Sequence, residues 1–358
     1  MSRIFVSGLG AVSPAGWDVA ALRQALERGE PLPEQPLVRP GWERPLKTRQ
    51  VPAPQQRPAF MVNPRLRRTS PITHYAAAAS LEAVAGFRRK NGPDCPLGLV
   101  VCLQSGCVQF SHRFFDEVLS DPATASPLLF PETVFAAPTS HVAALLQNTP
   151  LVYTLMGDAA CFLQGLALGA QWLETGRVEA CLVVGAEETY WLLADALWHL
   201  ERAAVISGGA GALCLSTAPE MSMGVELSLV TDAFTYTTSR NRKQAAQAMR
   251  QQLPACSPAE MLCTGLGDSP RADAPEAAAW RDWTGPHLSP KRVFGEGLMA
   301  APAWQTVAAC DAVARRQCRA ANVSVVGPNQ MALGARFERT EDGLLNSIMR
   351  RSQPTVSA

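Results

Sequence analysis

Net charge is almost absent from this chain: 32 Lys and Arg stand against 31 Asp and Glu, leaving +1. Such a balance offers no general attraction to nucleic acid or to an anionic membrane. Long apolar runs are missing too, and none reaches the roughly 18–20 residues of a bilayer span. No charged-then-apolar leader opens the chain, and Ile4-Phe5-Val6 already reads as strand, so the cytoplasm is the expected compartment. Metal-ligand spacing is lacking. The ten cysteines (95, 102, 107, 161, 181, 214, 256, 263, 310, 318) include no Cys-x-x-Cys, and none lies near a histidine at ligand spacing. Neither a metal nor a cofactor is expected. Most cysteines sit in apolar company, as in Ala180-Cys-Leu-Val-Val184, and read as small buried hydrophobes in a reducing compartment. Histidine is scarce, with five residues at 74, 112, 141, 199 and 287.

What is present is a well-buried globular composition, 47% hydrophobic and 18% charged, over 358 residues. That length exceeds one compact core and suggests two domains or two fused halves. Ile4 to Ser7 reads as a strand turned by Gly8-Leu9-Gly10. Asp18 can cap a helix to about Arg28. The third glycine, Gly16, falls too late for a dinucleotide fingerprint, and Pro14 interrupts the turn. Residues 31–70, rich in Pro and Arg, read as a surface excursion. A helix at 71–90, a strand at 97–103 and a helix at 110–120 follow, then a helix over 141–147 capped by Ser140.

The central block is the clearest. Val152–Leu155 is a strand, Gly157-Asp158 a turn, 159–174 a helix stopped at Gly176, and Cys181–Val184 a second strand. That order predicts a right-handed parallel crossover. From Met221 the pattern restarts, with a strand at 224–231 and helices near 240–252, 257–260, 270–281 and 299–320. Strands at 323–326 and 332–337 close it. The expected organisation is 1–217, 221–340 and a tail 341–358.

Several segments now resemble one family. Val6-Ser-Gly-Leu-Gly-Ala-Val-Ser-Pro-Ala-Gly16 resembles the opening of β-ketoacyl synthases, and Glu174 to Glu187 looks like their helix end and Gly-Gly-Ala-Glu strand. Gly209-Ala-Gly-Ala-Leu-Cys-Leu215 is similar to a Gly-Glu-Gly-Ala stretch without its glutamate. Lys291-Arg-Val-Phe-Gly-Glu296 is similar to a Lys-x-x-x-Gly-His motif. The resemblance implies a thiolase-like α/β fold of five layers, αβαβα, built from two related halves, and a dimer.

It also implies a nucleophilic cysteine at a helix start, where the helix N-terminus stabilises a thiolate, and two histidines that polarise the acyl carbonyl. Here the positions are degenerate. Counting back from Gly176 and from Gly185-Ala-Glu187 puts Ala159 at the nucleophile position. Cys161 is the alternative, ~200° further round the helix. The histidine positions fall on Gly265 and Glu296, with Asp273 and Glu276 marking the first; Lys291 matches the family lysine. The family's Gly-rich gating loop is replaced by Val325-Val-Gly-Pro-Asn-Gln330.

The resemblance is nearest to chain-length factors of aromatic polyketide and aryl polyene pathways. It implies a non-catalytic partner of an active ketosynthase, or a homodimer, that meets an acyl carrier protein in polyketide, aryl polyene or fatty-acid-like synthesis. Phe110, Phe114 and Phe115 are the candidate tunnel wall near the interface. Arg65, Arg67, Arg68, Arg240, Arg242 and Lys243 are candidate carrier contacts. Two other readings stay open: a divergent acyl-transfer or hydrolytic enzyme using Cys161 with Glu296 as base, and a carrier-binding module.

Overall fold

The computed structural model describes residues 2–92, 94–254 and 257–340. Strand β1 (Ile4–Val12) leads to the Asp18 cap, whose carboxylate accepts the Ala21 amide at 2.7 Å and starts α1 (Val19–Arg28). The excursion at 31–70 holds a hairpin of β2 (Gln35–Leu37) and β3 (Leu46–Arg49). Then come α2 (Pro71–Asn91), β4 (Leu97–Leu103), α3 (Val108–Ser120), α4 (Ala137–Leu146), β5 (Leu151–Met156) and α5 (Cys161–Glu174). The first run ends with β6 (Ala180–Glu187), α6 (Trp191–Leu200), β7 (Ile206–Ser207) and β8 (Gly209–Ser216). The second run is β9 (Val225–Val230), β10 (Phe234–Thr235), α7 (Ser239–Gln252), β11 (Glu260–Cys263), α8 (Pro270–Ala279) and β12 (His287–Leu288). It closes with α9 (Pro290–Phe294), α10 (Ala300–Ala314), β13 (Ala320–Val326) and β14 (Met331–Arg339).

The large sheet runs β12-β11-β13-β14-β9-β1-β8-β6-β4-β5. Outward from its middle the two wings repeat one plan. β1-β8-β6-β4-β5 and β9-β14-β13-β11-β12 share the same sequence of antiparallel and parallel pairings. They join antiparallel through Ile4↔Leu227, Phe5↔Glu226 and Val6↔Val225. Helix α10 packs on β1, β6 and β8 of one wing and on β11, β13 and β14 of the other, and α5 packs on β4, β6 and β14. These two helices are the middle layer. Helices α2 and α4 cover the first wing from outside, and α7 and α8 the second. The result is the expected five-layer αβαβα fold. Residues 300–313 of α10 are all buried, the pattern of a helix apolar on every side. Its Trp304 indole donates to the Val12 carbonyl at 2.9 Å and to that of Ala210 at 3.1 Å, which stitches the layers together.

Some expectations need correction. Gly8 and Gly10 do not turn the chain; β1 continues through them to Val12. They are glycine because α2 lies across them, where a Cβ would stand 1.9 Å from the Ala83 and Ala79 carbonyl oxygens. The helix expected at 257–260 is a turn into β11, which pairs in parallel with both β12 and β13; sheet pairing overrides local helix preference there. Ser140 caps nothing, because α4 already starts at Ala137 with Pro138 in its first turn. Cys256 and the tail 341–358 lie outside the described residues.

Candidate active site and its surroundings

Strand β5 and helix α5 meet at Gly157-Asp158-Ala159-Ala160. The Cys161 amide donates to the Asp158 carbonyl at 2.9 Å and the Phe162 amide to that of Ala159 at 3.3 Å, so the winding begins within the turn. Ala159 is partly buried against the inner core, and its methyl offers neither nucleophile nor proton. Cys161, the first residue of α5, faces that core at 4% exposure. The Cys102 thiol on β4 reaches its carbonyl at 3.8 Å. A hydrogen bond between the two thiols, together with burial, holds Cys102 well above its ordinary range. The same bond lowers Cys161, against burial and the Asp158 carboxylate, which act the other way.

Asp158 is buried, and its carboxylate points into the segment 326–331. One oxygen accepts the Gln330 amide at 2.9 Å and the Met331 amide at 3.4 Å; the other accepts the Ala160 amide at 3.3 Å. Gly327 has to be glycine, since a Cβ would stand 2.1 Å from the Asp158 Oδ2. The Tyr236 hydroxyl donates to the Gly327 carbonyl, and the Tyr236 amide donates to that of Gln330 at 2.8 Å. The Arg242 guanidinium donates to the Val326 carbonyl at 3.2 Å. An acid, a phenol and a guanidinium therefore pin the loop. Amides that could polarise an acyl oxygen above the α5 N-terminus already serve a carboxylate of the chain itself.

Gly265, Lys291 and Glu296 come together in a second cluster. The Lys291 Nζ lies 2.7 Å from Glu296, whose other oxygen accepts the Leu298 amide at 2.9 Å. The Lys291 stem lies against Gly267. Asp273 accepts the Gly267 and Ser269 amides at 2.9 and 3.0 Å. Glu276 accepts the Gly265 amide at 3.2 Å and the Ser324 hydroxyl at 2.6 Å. Burial works against the Lys291 ammonium, yet Glu296, with Glu276 and Asp273 behind it, holds it above its ordinary value. Burial also pushes the Glu276 carboxyl up to about 7. Gly265 brings no side chain, and the Glu296 carboxylate is paired. His287 stands nearby, its Nε2 2.7 Å from the Thr264 hydroxyl, and burial lowers it. No cluster of metal-ligating side chains occurs among the described residues.

Helix α3 presents Phe110 and Phe114 half-buried and Phe115 at 58% exposure, with the Phe114 and Phe130 rings 5.4 Å apart. Its neighbours continue an apolar surface. Leu128, Phe130, Val134 and Phe135 are exposed beside it, the 130–133 turn packs on α4, and α4 packs on β5. β5 is the terminal strand of the sheet and exposes Val152, Tyr153 and Met156. Its outer edge is unpaired among the described residues. Arg65, Arg67, Arg68, Arg240 and Lys243 are exposed, whereas Arg242 is turned to the loop.

Sequence reading did not single out Asp158, Tyr236 or Glu188, whose hydrogen bonds only the structure reveals. The only signal was an acidic residue directly before the degenerate nucleophile position and a doubled Glu187-Glu188 ending a buried strand. Both glutamates are fully buried. Burial pushes Glu187 up to about 8, and it accepts the Gln104 and Ser105 amides at 3.1 and 3.3 Å.

No protein-family model matches the chain, and no curated protein matches it. Solved structures do. A β-ketoacyl synthase from Burkholderia phymatum STM815 is 17% identical, with 95% of this chain and 100% of that chain covered at a TM-score of 0.78. The ishigamide ketosynthase/chain length factor is 16% identical over 95% and 100% of the two chains, at 0.75. A ketosynthase in complex with its chain length factor from Xenorhabdus doucetiae is 14% identical over 95% and 98%, at 0.76. The chain has the thiolase-like fold of these ketosynthases and chain-length factors. No helix among the described residues is long and apolar enough to cross a membrane.

Proposed function

We propose that this ketosynthase-fold chain is a non-catalytic subunit of the chain-length-factor kind, paired with an active ketosynthase whose acyl tunnel it helps to shape. The observation that carries the reading is the Asp158 carboxylate on the amides of Ala160, Gln330 and Met331 beside Ala159. An acyl carbonyl would have to displace a hydrogen-bonded carboxylate, and would then find a methyl where a thiolate is needed. The Lys291–Glu296 pair supports the same view, because the cation and carboxylate neutralise each other instead of facing a substrate.

The partner is a second ketosynthase-fold chain, set against the open edge of β5 and the apolar face that α3 and the 128–135 segment continue. A strand edge of this kind, flanked by exposed aromatics, is a template for pairing. Phe110, Phe114 and Phe115 then form wall for the growing acyl chain, and bulk there stops elongation. The exposed arginines at 65, 67, 68 and 240, with Lys243, supply positive charge for an acidic carrier protein.

The test is co-expression with the ketosynthase partner and a product assay with Cys161→Ala in this chain. Unchanged turnover by a stable heterodimer supports the reading. Lost turnover with the dimer intact means that Cys161 is a nucleophile.

A further inference from the structure

None of the 13 residues of helix α3 is fully buried; Phe110 packs against the outer core, and hydrogen bonds fasten the first two turns of the helix. The Gln109 amide donates to Glu188 at 2.8 Å. One turn on, the His112 Nδ1 lies 2.9 Å from the Tyr190 hydroxyl, and the His112 ring stands edge-on to Trp191 at 5.4 Å. All three anchors belong to the short segment that leaves β6. That segment is itself fixed: Glu188 is fully buried and also accepts the Ser70 hydroxyl and, at 3.4 Å, the Ile72 amide at the start of α2. Glu187 holds the end of β4, from which the chain enters α3.

Between α3 and this segment opens a cleft of about 480 Å³, lined among others by His112, Arg113, Asp116, Glu117, Tyr190 and Trp191. A displacement of α3 changes that cleft and carries Phe110, Phe114 and Phe115 with it. We propose that Glu188 and Tyr190 are positioning residues that fix where α3 stands, and through it the length of acyl chain the assembled enzyme admits. This rests on the reading of α3 as tunnel wall. Glu188 sets the start of the helix, and Tyr190 its second turn through His112. Neither touches the acyl chain.

Two isosteric variants of the full chain test this. Tyr190→Phe removes one hydroxyl and keeps the ring; Glu188→Gln keeps the shape and removes the charge. In the isolated chain, amide exchange over 108–120 is expected to quicken roughly threefold to tenfold, as for loss of one hydrogen bond, with α5 and α10 unchanged. In the heterodimer, product length is expected to broaden or shift by one two-carbon unit while the dimer mass stays the same. Unchanged exchange, or faster exchange with unchanged product length, overturns the proposal. Should Glu188→Gln fail to fold, Tyr190→Phe decides alone. Phe110→Ala and Phe114→Ala separate the two levels. If they leave product length unchanged, the wall reading itself falls. If they shift it and Tyr190→Phe does not, only the positioning role falls.

Discussion

The Asp158 carboxylate and the Gln330 amide meet at 2.9 Å across 172 residues of sequence, and this contact closes the turn between β5 and α5. It ties the start of α5 in one wing to the loop between β13 and β14 in the other. Asp158→Ala leaves the amides of Ala160, Gln330 and Met331 without their acceptor. The expected loss is about 1–3 kcal/mol of unfolding free energy, read by urea denaturation. Faster exchange over 326–331 should accompany it, and no condensing activity should appear, because Ala159 still supplies no thiol.

Cys161 is the more acidic of a thiol pair but is shut inside the core. An acyl thioester reagent should therefore leave it unlabelled in the native chain and label it only on unfolding, as followed by intact mass. Stoichiometric native labelling would revive the enzymatic reading.

Stability should fall as pH rises. Burial raises Glu82 and Glu276 to about 7 and Glu187 to about 8 in the folded chain. A carboxyl raised on folding gives stability that is fully present below the ordinary carboxylate range and lost as pH rises through the folded value. Each contributes a slope of up to about 1.4 kcal/mol per pH unit in that window. Thermal melts from pH 5 to 9 should show Tm declining, and Glu187→Gln should flatten the curve.

The Lys291–Glu296 pair should behave as a neutralised cluster. Lys291→Met alone leaves Glu296 without its cation and should cost about 1.5–3 kcal/mol. Adding Glu296→Gln should recover part of that loss. A double-mutant cycle by chemical denaturation measures the coupling. A double variant whose cost equals the sum of the two single variants would show that the pair is uncoupled.

Tyr153→Glu places a charge on the outer edge of β5, where the side chain is 52% exposed. The isolated chain should lose no more than about 0.5–1.5 kcal/mol, the worth of the edge-on Tyr153–Trp172 ring contact at 5.6 Å. The proposed heterodimer with a ketosynthase should weaken by tenfold or more in an ultracentrifugation titration.

Much of the fold was legible because β1, β4, β6, β8 and β13 are buried on both faces and read as short apolar runs. β4 was placed at its observed bounds, and α2, α5 and β6 within a few residues. The misses had physical causes. Gly8 and Gly10 look like a turn in one dimension, and only the α2 carbonyls lying on them explain their identity. β11 is four residues long and owes its state to two parallel neighbours. At the candidate site, the degenerate positions Ala159, Gly265 and Glu296 could be proposed from the family resemblance alone. The Asp158 plug could not, because its partners lie in the other half of the chain. Arg242 looked like one more surface cation until its carbonyl partner was in view.

The place of α10 in the middle layer bears on how the chain is made. Its fourteen consecutive buried residues, 300–313, cover the inner faces of β1 and β8, yet they are synthesised after both strands. At usual elongation rates of about 5–20 residues per second, the face of β8 waits roughly 5–20 s and that of β1 roughly 15–60 s for the helix that will cover them. A nascent chain of this design has to be sheltered through that interval, so its yield in a cell should depend on chaperone supply more than on its final stability.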